Sequence, residues 1–317
     1  MIKETVFGPI NSRRFGTSLG VDLSPNLKQC NFDCLYCELK QEKKRVDLQS
    51  DPIIVSKIFT EIETSLDKLQ NIDVLTFTAN GEPTLYPDLD NLIDQVNMIK
   101  AKYKIETLIL SNSGNIWFPD IRNTLMKFDK VKLSLDCATQ NCFEKIDRPI
   151  NGINIDAIKT GILEFSQKFQ GELFIEILFL EHINAEYDEV KRLNEFLLTL
   201  PKVTRIDIGT VERPPAYDVK PISYNHLLEI SQQFDNNLPI LISKHREKTF
   251  VTQHLVKSAI LHTLRLRPLT KYDFESLFDK STIENLDSLL KEELVSIKKV
   301  GDIEFYQPSK SLDDVNL

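Results

Sequence analysis

Three of the chain's five cysteines fall inside one short stretch, CNFDCLYCELK, as Cys30, Cys34 and Cys37. Three residues separate the first pair and two the second. Thiolates held this close ligate zinc, copper or an iron–sulfur cluster. A closed structural zinc site takes four ligands, and the nearest histidine, His182, lies far down the chain without a matching pair. Cys137 and Cys142 could complete such a site if strand ends converged; otherwise the expectation for both is a buried free thiol. Three thiolates alone suit a [4Fe-4S] cluster, with one iron left without a protein ligand and open to a small molecule.

Such a loop needs elements to hold it. Between about residues 50 and 210 helical and strand patterns alternate, which predicts an α/β protein with a parallel sheet under covering helices. VLTFTA (74–79), TLILSN (107–112), VKLSLD (131–136), ELFIEILFL (172–180) and VTRIDIGT (203–210) read as strands following helical segments. SLGVDLSP adds an early strand and makes six β/α units. Six parallel strands fit an open doubly wound sheet or a partial barrel, and in both the ligands gather at the C-terminal strand ends. The polar residues cluster there: the cysteines after the first strand, NGEPT (80–84), SNSGN (111–115), Asp136, Asn184 and TVERPP (210–215). This series predicts one ring around one site.

The chain has 317 residues, 41% hydrophobic and 27% charged, enough for a large domain and a smaller one. Its formal net charge of -8 argues against broad binding to nucleic acid, which depends on neutralising phosphates. A local basic patch at Arg13, Arg14 or Lys40, Lys43, Lys44 and Arg45 stays open. The N-terminus lacks the apolar region of a secretory signal, and LFIEILFL is too short to cross a bilayer, so the expected location is the cytoplasm and no membrane contact is expected. ERPPAYDVKPIS breaks the alternation, giving expected boundaries of a core at 1–220, an accessory segment at 221–254 and a helical module at 255–317. The module closes on two short β-prone runs around Gly301, like the wing of a winged helix, with Ser281 or Thr282 as a helix cap. From 258 to 317, eleven Asp or Glu stand against eight Lys or Arg, so DNA binding by this module is not expected.

The spacing of Cys30, Cys34, Tyr36 and Cys37 resembles the signature of radical S-adenosylmethionine enzymes. The resemblance implies a partial (β/α)6 TIM-like barrel holding a [4Fe-4S] cluster on Cys30, Cys34 and Cys37. It also implies S-adenosylmethionine bound at the open iron and cleaved by one electron to methionine and a 5'-deoxyadenosyl radical. Flavodoxin or ferredoxin would supply the electron. NGEPTL is similar to the family's Gly-Gly-Glu-Pro segment, with Asn80 in place of the first glycine and Gly81, Glu82 and Pro83 retained; backbone atoms and Glu82 would meet the methionine ammonium. By the same resemblance Tyr36 packs near adenine, Ser134 and Asp136 meet the ribose, Asn112 lines the cavity and Thr210 offers backbone atoms to adenine.

FGPINSRRFGTSLGVDLSP, FTANGEPTLYPDL, FEKIDRP and TVERPPA together resemble the branch that includes the wybutosine-synthesising tRNA enzyme and its bacterial relatives. That enzyme carries extra cysteines ahead of the triplet for a second cluster, and residues 1–29 here contain none. A nucleoside in tRNA or another RNA stays open as substrate. Arg13 and Arg14 are candidate contacts for a substrate phosphate or carboxylate, and Arg148 and Arg213, in DRP and ERP near strand ends, are further substrate candidates. Glu176, a carboxylate inside an apolar strand, is expected to point inward with a polar reason to be there. A rival reading makes the chain an iron–sulfur redox sensor acting through its winged-helix-like module.

Overall fold

The structure is a computed structural model and describes residues 4–242, 254–300 and 303–309, apart from 13, 40, 42, 43 and 267. An eight-stranded sheet runs in sequence order: β1 (Val6–Ser12), β2 (Gly16–Asp22), β3 (Val74–Thr78), β4 (Glu106–Ser111), β5 (Lys130–Ser134), β6 (Glu172–Phe179), β7 (Arg205–Thr210) and β8 (Ile240–Ile242). β1 pairs antiparallel with β2, and every later neighbour is parallel.

The helices α1 (Val55–Lys68), α2 (Leu89–Tyr103), α3 (Pro119–Leu125), α4 (Gln140–Ile146), α5 (Ile155–Lys168), α6 (Tyr187–Leu197) and α7 (Tyr224–Ser231) connect the parallel strands. Ile58, Ile62 and Leu66 recur at four-residue spacing on α1 and are buried, the pattern a helix needs to cover a sheet. Thr139 and Asn154 cap α4 and α5 by accepting from main-chain N–H groups of the first turn.

Six strands were expected, and the sheet has eight. β1 was missed because Gly8 and Pro9 interrupt its alternation, and its partner register shifts between Phe7 and Ile10. β8 lies within the expected accessory segment; at three residues it is short, and only its pairing with β7 identifies it. The sheet therefore continues past residue 220.

The sheet curls. Arg14 sits in the turn between β1 and β2, yet its guanidinium lies 3.3 Å from Asp207 on β7. Five strand spacings separate β2 from β7, on the order of 24 Å across a flat sheet, far beyond the reach of one side chain. Only a closing curvature brings them together. Alternation then sends Ser18 and Thr76, which share a 2.6 Å hydrogen bond, and Lys132, Glu176 and Asp207 to the concave face.

The second unit has its own core around Ile260, Leu264, Phe274, Leu277, Leu286 and Leu289. It runs α8 (Lys257–Leu266), β9 (Leu269–Thr270), α9 (Lys271–Leu277), α10 (Lys280–Lys291), β10 (Val295–Val300) and β11 (Ile303–Pro308), with sheet order β10-β11-β9. Asp279, not Ser281 or Thr282, caps α10, because the helix begins two or three residues earlier than its apolar pattern implies. Gly301 lies outside the described residues. The unit packs on β1, where Phe7 meets His262 edge to face at 6.2 Å. No helix among the described residues is long and apolar enough to cross a membrane.

Candidate active site

The loop after β2 carries Cys30, Cys34 and Cys37, none of them in a disulfide. It has little regular structure and is fixed by its neighbours. Asp33 and Leu35 donate their N–H groups to the carbonyls of Asp147 and Ile146 at 3.0 and 2.9 Å, and Val46 donates to Cys30 at 2.9 Å. Burial pushes the Cys30 thiol up to about 12, and the nearby Glu82 adds to it. Burial and then Asp147 push Cys34 well up. Without metal these thiols keep their protons, so ligation must displace them.

The donors around the sulfurs fit a thiolate-bound cluster. The Phe32 N–H lies 3.4 Å and the Asn112 amide nitrogen 3.6 Å from Cys30 Sγ, and the Lys28 ammonium lies 3.4 Å from Cys37 Sγ. Each places a positive hydrogen against sulfur that carries negative charge once ligated.

The segment after β3 docks directly on this loop. Gln29 donates to the Asn80 carbonyl at 2.8 Å, and Glu82 donates its N–H back to the Gln29 carbonyl at 2.9 Å. Gly81 has a φ of +136°, and a Cβ there would fall 1.7 Å from the Gln29 carbonyl oxygen. Only glycine fits, for both conformation and space. Asn80 tolerates the place of the other glycine because its main chain does the bonding: its N–H donates to Asp22 at 2.7 Å. Glu82 is buried and fully engaged, accepting from the Thr84 N–H and hydroxyl, the Ser111 hydroxyl and the Asn112 N–H. Burial raises its pKa, and these bonds oppose the rise.

Tyr36, Asn112, Ser134 and Asp136 line one small cavity together with Phe32 and Asp147. The sequence placed the first four at one cofactor; Asp147 was not anticipated, and it came to light only through the turn after α4. The Tyr36 hydroxyl donates to Asp136, whose other oxygen accepts from Leu178 N–H at 2.7 Å. Asp147 accepts from the Cys34 thiol at 3.4 Å. Burial raises both carboxyls, and Asp147 is raised further by Asp136. The cavity measures about 10 Å³, room for roughly one water.

A second cluster lies on the concave face. Glu176 pairs in register with Ser134 on one side and Asp207 on the other. One of its oxygens accepts from Arg14 at 2.6 Å and from Lys132. Asp207 is fully buried, with Arg205 on it at 2.8 Å. Burial alone would raise Glu176; Lys132 and then Arg14 hold it down at about 2. Lys132, Arg205 and Asp207 were not singled out from sequence. The signal was present: in KVKLS and RIDIGT the polar residues fall on alternate positions, one face of each strand.

Arg13 is outside the described residues. Arg213 makes a two-oxygen pair with Glu38 at 2.9 and 2.8 Å. The Thr210 hydroxyl donates to the Phe179 carbonyl and accepts from Ile222 N–H, tying chain segments together. Asn184 likewise staples Asp136, Leu178 and Leu180 by their main chains. Cys137 and Cys142 form a disulfide rather than two free thiols. The strand-to-helix turn brings their Cα atoms to 5.7 Å, within bridging range, so neither is left to complete a zinc site.

The family model described as the radical SAM superfamily matches residues 27–193, from the residues before Cys30 to the sixth helix. The chain belongs to the radical SAM superfamily: it is an enzyme class that uses a [4Fe-4S] cluster and S-adenosylmethionine and needs a one-electron reductant. Within it, the chain is 39% identical over 306 residues to a UPF0026 protein of Helicobacter pylori strain J99, covering 95% of this chain and 96% of that one. A shorter likeness, 33% over 70 residues, joins it to the S-adenosyl-L-methionine-dependent tRNA 4-demethylwyosine synthase of Oryza sativa subsp. japonica, covering 22% of this chain and 10% of that one. The fold is shared with a radical SAM methyltransferase from Sphaerobacter thermophilus, with a TM-score of 0.54, 11% identity, and 71% and 66% of the two chains covered.

Proposed function

We propose that Cys30, Cys34 and Cys37 hold a [4Fe-4S] cluster whose fourth iron binds S-adenosylmethionine, within a TIM-like partial barrel. The bound cluster and S-adenosylmethionine supply reductive cleavage to a 5'-deoxyadenosyl radical, which removes hydrogen from the substrate. The observation that carries this reading is the docking of Gly81 and Glu82 on Gln29, which sets the methionine-binding segment against the cysteine loop through main-chain bonds.

In this reading Asn80, Gly81 and Glu82 line the methionine end, and Asn112 orients both Glu82 and the loop. Tyr36, Ser134 and Asp136 take the adenosine. Thr210 keeps the strand end in place for adenine. Glu176, held ionised by Arg14 and Lys132, faces the interior as a fixed acceptor for the substrate.

The substrate in this reading is a nucleoside in tRNA or another RNA, supported by the local likeness to the demethylwyosine synthase. Reduced flavodoxin or ferredoxin in the cytoplasm supplies the electron. The module from about residue 255 has the element order of a winged helix, with β10 and β11 as its wing, and its acidic balance suits protein contact or substrate presentation. The redox-sensor reading is not favoured, since the chain belongs to a catalytic superfamily.

The test is anaerobic reconstitution with iron and sulfide, reduction, addition of S-adenosylmethionine and measurement of 5'-deoxyadenosine. Product that depends on Cys34 supports the reading; an intact cluster without product in the presence of reductant and RNA counts against it.

A further inference from the structure

The cysteine loop is gripped from two sides. On one, residues 146 and 147 accept from the main chain of Asp33 and Leu35. On the other lies the segment that follows β7, Val211 to Tyr217, which the sequence set aside as a proline-rich break. Its contacts concentrate on the last cysteine. Ala216 N–H donates to the Cys37 carbonyl at 2.8 Å, and the Ala216 carbonyl accepts from the Gln41 side chain at 3.1 Å. Among the described residues this is the only main-chain bond between Cys37 and a distant segment.

Two side chains flank that bond. Arg213 grips Glu38, the residue after Cys37, with one nitrogen between both carboxylate oxygens. The Tyr217 hydroxyl donates to Asp33, the residue before Cys34, at 2.7 Å. Arg148 completes the second latch: it stacks on the Tyr217 ring at 4.0 Å and pairs with the same Asp33 carboxylate at 2.6 Å. Pro214 and Pro215 between the two latches limit the segment's freedom in the open state, so closing it costs less entropy than closing an ordinary loop. Burial works against the Arg213 charge, and Glu38 first, then Asp273 of α9, hold it on.

We propose that residues 211–217 form a strap that fixes the Cys37 side of the cluster-binding loop. Arg213 and Tyr217 are then positioning residues that govern how firmly the cluster is retained. The strap's carbonyl and carboxylate partners lie 175 to 184 residues away in sequence, so its closure is a property of the folded core. This inference rests on the cluster assignment above.

The experiment uses the full chain, reconstituted anaerobically, with excess iron chelator and the visible absorbance of the cluster followed in time. Arg213→Ala is expected to lose the cluster roughly fivefold faster than wild type, and Tyr217→Phe, the milder change, roughly threefold faster. Exchanging the charges, Arg213→Glu with Glu38→Arg, should restore most of the wild-type rate. The thermal midpoint of the metal-free chain should stay unchanged in all three. Wild-type loss rates in both single variants overturn the strap while leaving the cluster assignment standing. Faster loss that follows a lowered thermal midpoint, without rescue by the exchange, also overturns it. A wild-type chain that retains no cluster removes the cluster assignment and the strap with it.

Discussion

Two sets of carboxyls inside the fold behave in opposite ways. Asp136 and Asp147, beside Tyr36 and Cys34, have no cation bonded to them among the described residues, and burial drives both upward. Glu176 shares its strand layer with Ser134 and is partly exposed, yet it too loses solvent, and Lys132 and Arg14 hold it near 2. Burial disfavours the charged form of every carboxyl; the partner decides whether that penalty is met. The first group is protonatable and sits beside Cys34 and Tyr36. The second is a permanently charged fixture of the interior.

Breaking the first region at its sulfur should have the largest effect. Cys34→Ala is expected to hold no intact cluster and to form no 5'-deoxyadenosine above background, read by iron content and product analysis. A variant with full cluster and activity would detach the thiols from the chemistry.

Breaking the second region should cost stability. Glu176→Gln leaves Arg14 and Lys132 without their carboxylate, an expected loss of about 2 kcal/mol in denaturant unfolding, below the range for a fully buried pair because Glu176 is partly exposed. Its folded pKa of about 2 lies below the ordinary 4.5, so its contribution is complete above about pH 4.5 and is lost as pH falls towards 2. The stability gap between wild type and Glu176→Gln should close over that window. A gap that does not vary with pH would mean the two cations do not depend on this charge.

The first region has the reverse sign. Asp136 is raised from 3.8 to about 7, so its contribution to the metal-free chain is complete below about pH 3.8 and is lost as pH rises through 7. Asp136→Asn should change stability at low pH by about 1 kcal/mol or less and flatten the decline between those values. Equal slopes in wild type and variant would assign the decline to another group. The smallest effect is expected from Tyr36→Phe. It removes one donor from Asp136 and should move the midpoint of that decline to higher pH, with little change in the thermal midpoint.

The C-terminal strand ends were legible because they combine two short-range signals. An apolar run breaks into polar residues after each strand, and the cysteine spacing falls within eight residues. Gly81 was legible as part of a motif, but its reason was not: the Gln29 carbonyl that forbids a Cβ is supplied by another loop. Arg213 was read as a substrate contact because an arginine beside prolines at a strand end carries no mark of its partner, Glu38, 175 residues away. The Thr210 hydroxyl, too, has partners that lie far off in sequence or in another segment, Phe179 and Ile222.

By itself the sequence determined the local chemistry: three thiols at a fixed spacing, alternating β and α segments, and a glycine–glutamate turn after the second expected strand. These depend on neighbours within a few residues, where periodicity and turn chemistry act. Only the tertiary structure decided which charges meet. Arg14 reaches Glu176 across 162 residues and Tyr217 reaches Asp33 across 184, because the sheet curls until its early and late strands share an interior. Pairing at that range depends on curvature and register summed over many strands, and no local pattern carries it.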